Sequence, residues 1–100
     1  MTSEIRKLVT VVTEAALEAT LCAQLQNLGA SGYTVTDARG SGSRGVRDAG
    51  WTSSGNVRIE VVCDARMAER IAHHLREHYY DDYAMILYTS DVEVLRPGKF

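Results

Sequence analysis

The residues best suited to chemistry with an anion crowd into one stretch, Arg39 to Gly55. It holds Arg39, Arg44 and Arg47, the only tryptophan (Trp51), and five of the eight glycines: Gly40, Gly42, Gly45, Gly50 and Gly55. Guanidinium forks bind phosphate or carboxylate oxygens bidentately. Glycines let backbone N–H groups come close to the same oxygens. No helical or alternating period runs through the stretch, so it reads as a loop. Its length exceeds the roughly 12–15 residues above which loops are usually functional or disordered. A solvated Gly/Ser linker is the plain alternative, and the flanking residues weigh against it. Trp51, a lone aromatic in a polar loop, is a candidate contact for a partner protein.

Other constellations carry less. His74 and His78 stand four apart, with Asp81 and Asp82 just beyond. Two histidines at this spacing without a firm third ligand read as a solvated helix end rather than a metal centre, so no metal is expected. Ser41, Ser43, Ser53 and Ser54 have no nucleophile elbow and no neighbouring histidine. No Gly-Lys-Ser/Thr closes a P-loop. Glu60 and the two aspartates lack a nucleophile to serve, and no catalytic residue is expected. Three arginines offset by Asp37 and Asp48 make a thin footprint for nucleic acid. Tyr79, Tyr80, Tyr83 and Tyr88 fit core and interface roles better than a stacking platform.

The totals bound the rest. One hundred residues make one domain, 1–100, able to bury about two thirds of its unfolded surface. Oligomerisation is a natural source of further burial. Net charge is −2, against general nucleic-acid binding by the whole surface. The N-terminus lacks a signal-peptide pattern and no apolar run would span a membrane, so a cytoplasmic location is expected. Cys22 and Cys63 form no Cys-x-x-Cys pair and read as small, buried, reduced side chains.

The elements around the loop repeat. Leu8–Val12 reads as a buried strand. Thr13 is a plausible N-cap and Glu14 lies near a helix start. Leu17, Leu21, Leu25 and Leu28 recur at helical spacing, with Gly29 as the C′ residue. Tyr33–Thr36 reads as a second strand. After the loop, Val57, Ile59 and Val61 alternate with Arg58 and Glu60, a strand with one wetter face. Asp64 can cap a helix whose stripe is Met67, Ile71 and Leu75. Tyr83–Tyr88 is a further strand, and Asp91–Leu95 a short C-terminal one. At an offset of fifty, Leu17, Leu21 and Leu25 face Met67, Ile71 and Leu75, and Tyr33 faces Tyr83. Two strand–helix–strand units in tandem give an α+β, ferredoxin-like βαββαβ chain. Right-handed crossovers place both helices on one face of a four-stranded antiparallel sheet. The apolar residues of the other face need cover, which further subunits would supply.

The residues Gly32-Tyr33-Thr34-Val35-Thr36-Asp37, then Gly40-Ser41-Gly42-Ser43-Arg44-Gly45-Val46-Arg47, resemble the second strand and T-loop base of PII-like signalling proteins. The nearest branch is the bicarbonate-linked one: the SbtB type and the carboxysome-associated PII proteins. Asp82–Tyr88, Asp91–Leu95 and the Lys7-Leu8-Val9 opening are similar to that branch too, so the likeness covers almost the whole chain. The T-loop would be about 38–56, between strands two and three.

The resemblance implies a non-enzymatic sensor and a homotrimer. Adenine nucleotide would bind in the clefts between subunits: ADP or AMP, with ATP or cAMP as further candidates. Gly42, Ser43, Arg44 and Arg47 would meet the phosphates. Tyr33 and Thr34 would lie beside the nucleotide, and Tyr83, Ala84 and Met85 would line the cleft from a neighbour. Bicarbonate would share the phosphate side, at Arg44 and Arg47. No cofactor is implied beyond these ligands. The implied partner is a bicarbonate transporter or a carboxysome-related protein, and the implied location is the cytoplasm, at a carboxysome or against a membrane transporter. The chain has no cysteine pair after the last strand and no tyrosine at the loop tip, so a redox-switched tail and nucleotidylation are not expected. A CutA-type metal-binding trimer and a slow nucleotide hydrolase at the same cleft are the alternatives.

Overall fold

In the computed structural model, residues 3–40 and 55–100 are described. Strand β1 spans Glu4–Glu14, helix α1 Glu18–Leu28 and strand β2 Thr34–Ala38. Strand β3 follows at Asn56–Cys63, helix α2 at Ala65–His78 and strand β4 at Ile86–Val94. The sheet order is β2-β3-β1-β4, with every neighbouring pair antiparallel. This is the ferredoxin-like βαββαβ arrangement expected from the tandem pattern.

Sheet pairing decides which side chains meet. Val9 sits opposite Val61 and Val11 opposite Ile59, so alternate residues of the two central strands share one face. Those residues, with Val57 and Cys63, are buried against Leu21, Cys22 and Leu25 of α1 and Ala68, Ile71 and Leu75 of α2. The fifty-residue offset therefore has a physical meaning. Leu21 and Leu25 occupy in one unit the core positions that Ile71 and Leu75 occupy in the other.

Among the described residues, no helix covers the opposite face. Leu8 and Val62 pair across it, as do Val12 and Ile86, and Tyr88 stands beside Thr10. Tyr88 is 50% exposed, while Thr10, at the centre of the same face, is almost wholly buried.

Local chemistry sets the helix ends. The Asp64 carboxylate accepts from the Met67 amide at 2.8 Å, which satisfies one otherwise orphaned donor of α2. Gly29 closes α1 at φ 107°, a left-handed conformation that suits glycine.

Three expectations need correction. Thr13 is not a cap: β1 continues through Glu14, and Thr13 is fully buried opposite Val57, its hydroxyl without a partner among the described residues. A 3-10 turn at Ala15–Leu17 intervenes before α1 begins. Second, Asp91–Leu95 is not a separate fifth strand. β4 runs unbroken through Thr89 and Ser90 because β1 is long enough to pair with it from Val12 to Glu4. Third, Tyr83 does not begin a strand. The Asp82 and Tyr83 amides donate to the Tyr79 carbonyl at 3.1 and 3.0 Å, which holds that segment in a turn after α2. Pairing starts only at Ile86.

Candidate functional site

The residues on either side of 41–54 are built into the sheet. β2 ends at Ala38, which pairs with Asn56 at the start of β3. Asn56 in turn pairs with Glu14 of β1 and is buried. Gly55 re-enters at φ 77°, and its carbonyl accepts from the Ala15 amide at 3.1 Å. That bond ties the returning end of the loop to the 3-10 turn that precedes α1. Arg39 and Gly40 lead out of this base and are exposed. Gly42, Ser43, Arg44, Arg47 and Trp51 lie outside the described residues.

Tyr33 immediately precedes β2 and Thr34 is its first residue; both are exposed. The Tyr33 hydroxyl is held above its ordinary range, chiefly by a hydrogen bond with the Cys22 thiol of α1. Thr34 pairs with Glu60, Glu60 with Thr10, and Thr10 with Tyr88, so these four form one row across the uncovered face. The Ser31 hydroxyl donates to the Lys99 carbonyl at 3.5 Å, which brings the C-terminal turn beside the entry to β2.

The second group of expected residues sits elsewhere. Tyr83, Ala84 and Met85 precede β4, the other edge strand. They stand at the end of the sheet from which the loop leaves, because Ile86 pairs with Val12 near the close of β1. Tyr83 is at the surface, packed on Tyr79 with ring centroids 5.6 Å apart. Met85, by contrast, is part of the hydrophobic core. Within one chain β2 and β4 are three strand spacings apart, roughly 14 Å at about 4.8 Å each. The fold thus separates Tyr33 and Thr34 from Tyr83 and Ala84 and places the two sets on opposite edges.

A further polar cluster joins the helices. The Gln24 side-chain oxygen accepts from His74 Nε2 at 2.9 Å and from the Tyr79 hydroxyl at 2.8 Å. Burial, then the neighbouring His78 and His73, lowers the His74 pKa from its ordinary value. Helical spacing alone could not reveal Gln24, because the contact runs between two helices fifty residues apart in sequence. Among the described residues, no group of three or more His, Cys, Asp or Glu side chains could hold a metal ion. Cys22 and Cys63 are free and buried, and burial, with Asp64 beside it, pushes the Cys63 thiol up to about 11. Among the described residues, no helix is long and apolar enough to cross a membrane.

Comparison with known structures finds the same fold in several chains. A structure described as a PII-like signalling protein of Thermus thermophilus is 43% identical, with a TM-score of 0.85, covering 100% of this chain and 99% of that one. CPII of Thiomonas intermedia bound to ADP and bicarbonate is 19% identical, with a TM-score of 0.85, covering 99% of this chain and 97% of the other. CPII bound to ADP, AMP and acetate is 18% identical with the same TM-score, covering 100% of this chain and 98% of that one. The family model for nitrogen regulatory protein P-II matches residues 6–99. With nearly all of its length, from β1 to the C-terminal turn, matched to that model, the chain belongs to the nitrogen regulatory protein P-II family.

Proposed function

We propose that this chain is a non-enzymatic sensor of the bicarbonate-linked PII type, binding ADP or AMP between neighbouring subunits of a homotrimer. The observation that carries the reading is the placement of the two residue groups. Tyr33 and Thr34 lie on one edge strand and Tyr83 and Ala84 before the other, with β3 and β1 between them in one chain. A second subunit, laid edge to edge, brings the two groups to one cleft. The uncovered sheet face, with Leu8, Val12, Ile86 and Tyr88, supplies apolar surface for the same assembly.

In this reading Gly42, Ser43, Arg44 and Arg47 meet the phosphates and Tyr33 and Thr34 flank the nucleotide. Tyr83 and Ala84 close the cleft from the neighbour. Met85 anchors that segment through its buried side chain rather than touching ligand. Bicarbonate occupies the phosphate side beside Arg44 and Arg47. CPII of Thiomonas intermedia, which has been solved with ADP, AMP and bicarbonate, supports this choice of ligands. Binding orders the 38–56 T-loop through charge-assisted hydrogen bonds, a disorder-to-order switch limited by the ligand's differential affinity for the ordered state. Trp51 is then presented to a partner, a bicarbonate transporter or a carboxysome-related protein, in the cytoplasm. Membership of the P-II family sets aside the CutA-type reading.

The test is calorimetry of ADP and AMP into the purified protein, with and without bicarbonate, beside light scattering for mass. The expected result is a trimer with about one nucleotide per chain and tighter binding in bicarbonate. Binding indifferent to bicarbonate would remove the carbon link. A nucleotide-free trimer would overturn the sensor reading.

A further inference from the structure

The polar cluster that joins α1 to the C-terminal end of α2 holds none of the residues assigned to the nucleotide cleft. Its geometry is that of a prepared imidazole pair. His74 and His78 lie one turn apart on α2, with ring centroids 4.4 Å apart and planes tilted by 52°, so the rings are not stacked face to face. The Gln24 side-chain oxygen can only accept, so His74 Nε2 must carry the proton of their 2.9 Å contact. The neutral ring then keeps its lone pair on Nδ1. Metal-bound histidines are commonly arranged this way, with the second ring N–H donated to a fixed acceptor that sets tautomer and orientation. Gln24 is itself fixed, because the Tyr79 hydroxyl donates to the same oxygen at 2.8 Å. Two imidazoles at i and i+4 can converge on one ion, with metal–nitrogen bonds of about 2.0–2.1 Å.

We propose that His74 and His78 form a two-imidazole site for a late first-row divalent ion, with Gln24 as the positioning residue that orients His74. Imidazole donors favour zinc, nickel and copper over magnesium or calcium. No third side chain among the described residues joins the pair, so water completes the coordination and the site is one of exchange rather than permanent residence. Neither imidazole is among the residues assigned to the nucleotide cleft, so a titration of nucleotide-free protein reads the metal site by itself.

The experiment is calorimetric titration of the untagged full chain with copper(II) and with zinc(II), in a buffer that does not chelate. One ion per chain is expected, with copper tighter than zinc. His78 is exposed, so His78→Ala leaves the core intact and should weaken binding about ten-fold or more. His74→Ala should do the same. Gln24→Ala should weaken binding by roughly ten- to a hundred-fold while both imidazoles remain, the scale of a lost outer partner of a metal-bound histidine. His73→Ala should change nothing, because that exposed neighbour lies on another face of the helix turn. Equal binding by wild type and His78→Ala would overturn the site. So would a loss in His73→Ala matching that in His74→Ala. Unchanged affinity in Gln24→Ala would overturn its positioning role.

Discussion

Ala38 and Asn56 face each other at the last rung of the β2–β3 ladder, and the loop both leaves and returns through that rung. The carbonyl of Gly55, one residue before it, is fixed by the Ala15 amide. The residues that flank 41–54 are therefore held by the sheet on both sides.

Gly55 is the first place to test that base. Its φ of 77° is left-handed, and an added Cβ there would meet no atom of the described residues within 4 Å. The cost of Gly55→Ala is therefore conformational, about 1–2 kcal/mol, without a steric clash. Urea unfolding should show a lowered midpoint at unchanged slope. No loss of stability would mean that the base is not held in this conformation.

The cap of α2 should be separable from everything else. Asp64→Ala removes the acceptor for the Met67 amide and should cost about 1 kcal/mol. Nucleotide affinity should be unaffected, because the cap lies at the end of the sheet away from the loop base. Thr13→Val is the matched control at the residue that does not cap. It replaces a buried hydroxyl that has no partner among the described residues and should be neutral or slightly stabilising.

Cys63 gives a pH prediction with a definite sign. Its thiol is raised to about 11 in the fold, against about 8.5 in an unfolded chain. The folded state thus holds the proton where the unfolded state has lost it. Stability from this group is complete below about 8.5 and is lost as pH climbs towards 11. The stability difference between wild type and Cys63→Ala should shrink over that window. Alkylation of Cys63 at about pH 8 should also be slow in the native protein and fast in urea. A difference independent of pH would show that the thiol is not perturbed.

The proposed nucleotide cleft predicts losses from two distant positions. Arg47→Ala should weaken ADP binding by about 1.5–3 kcal/mol, the scale of a lost charged hydrogen bond. Ala84→Trp, on the opposite edge strand's approach, should block the same site by filling it from the neighbour. Co-refolded mixtures of the two variants should recover part of the binding, since some clefts then combine two intact halves. Mixtures that bind no better than either parent would count against a site shared between subunits.

Assembly has its own test. Tyr88 is half exposed on the uncovered face beside Ile86, and Tyr88→Arg places a charge in that apolar surface. The expected outcome is a smaller species by light scattering with the monomer fold retained by circular dichroism. Unchanged mass would move the interface elsewhere.

Sequence alone determined what depends on neighbours along the chain. Helical spacing set the apolar stripes of α1 and α2, and the cap at Asp64 and stop at Gly29 follow from side-chain and backbone preferences acting within a few residues. The glycine and arginine content of residues 39–55 is a signal of the same local kind, and residues 41–54 lie outside the described residues. Tertiary structure decided what depends on partners far away. Thr13 left its capping role because cross-strand bonds to β3 extend β1 through Glu14. Asp91–Val94 merged into β4 because β1 offered a continuous row of partners. Gln24 met His74 and Tyr79 only because two helices pack on one face of the sheet. The separation of Thr34 from Ala84 followed from strand order, which is fixed by non-local hydrogen bonding and burial and leaves no mark in either segment's own residues.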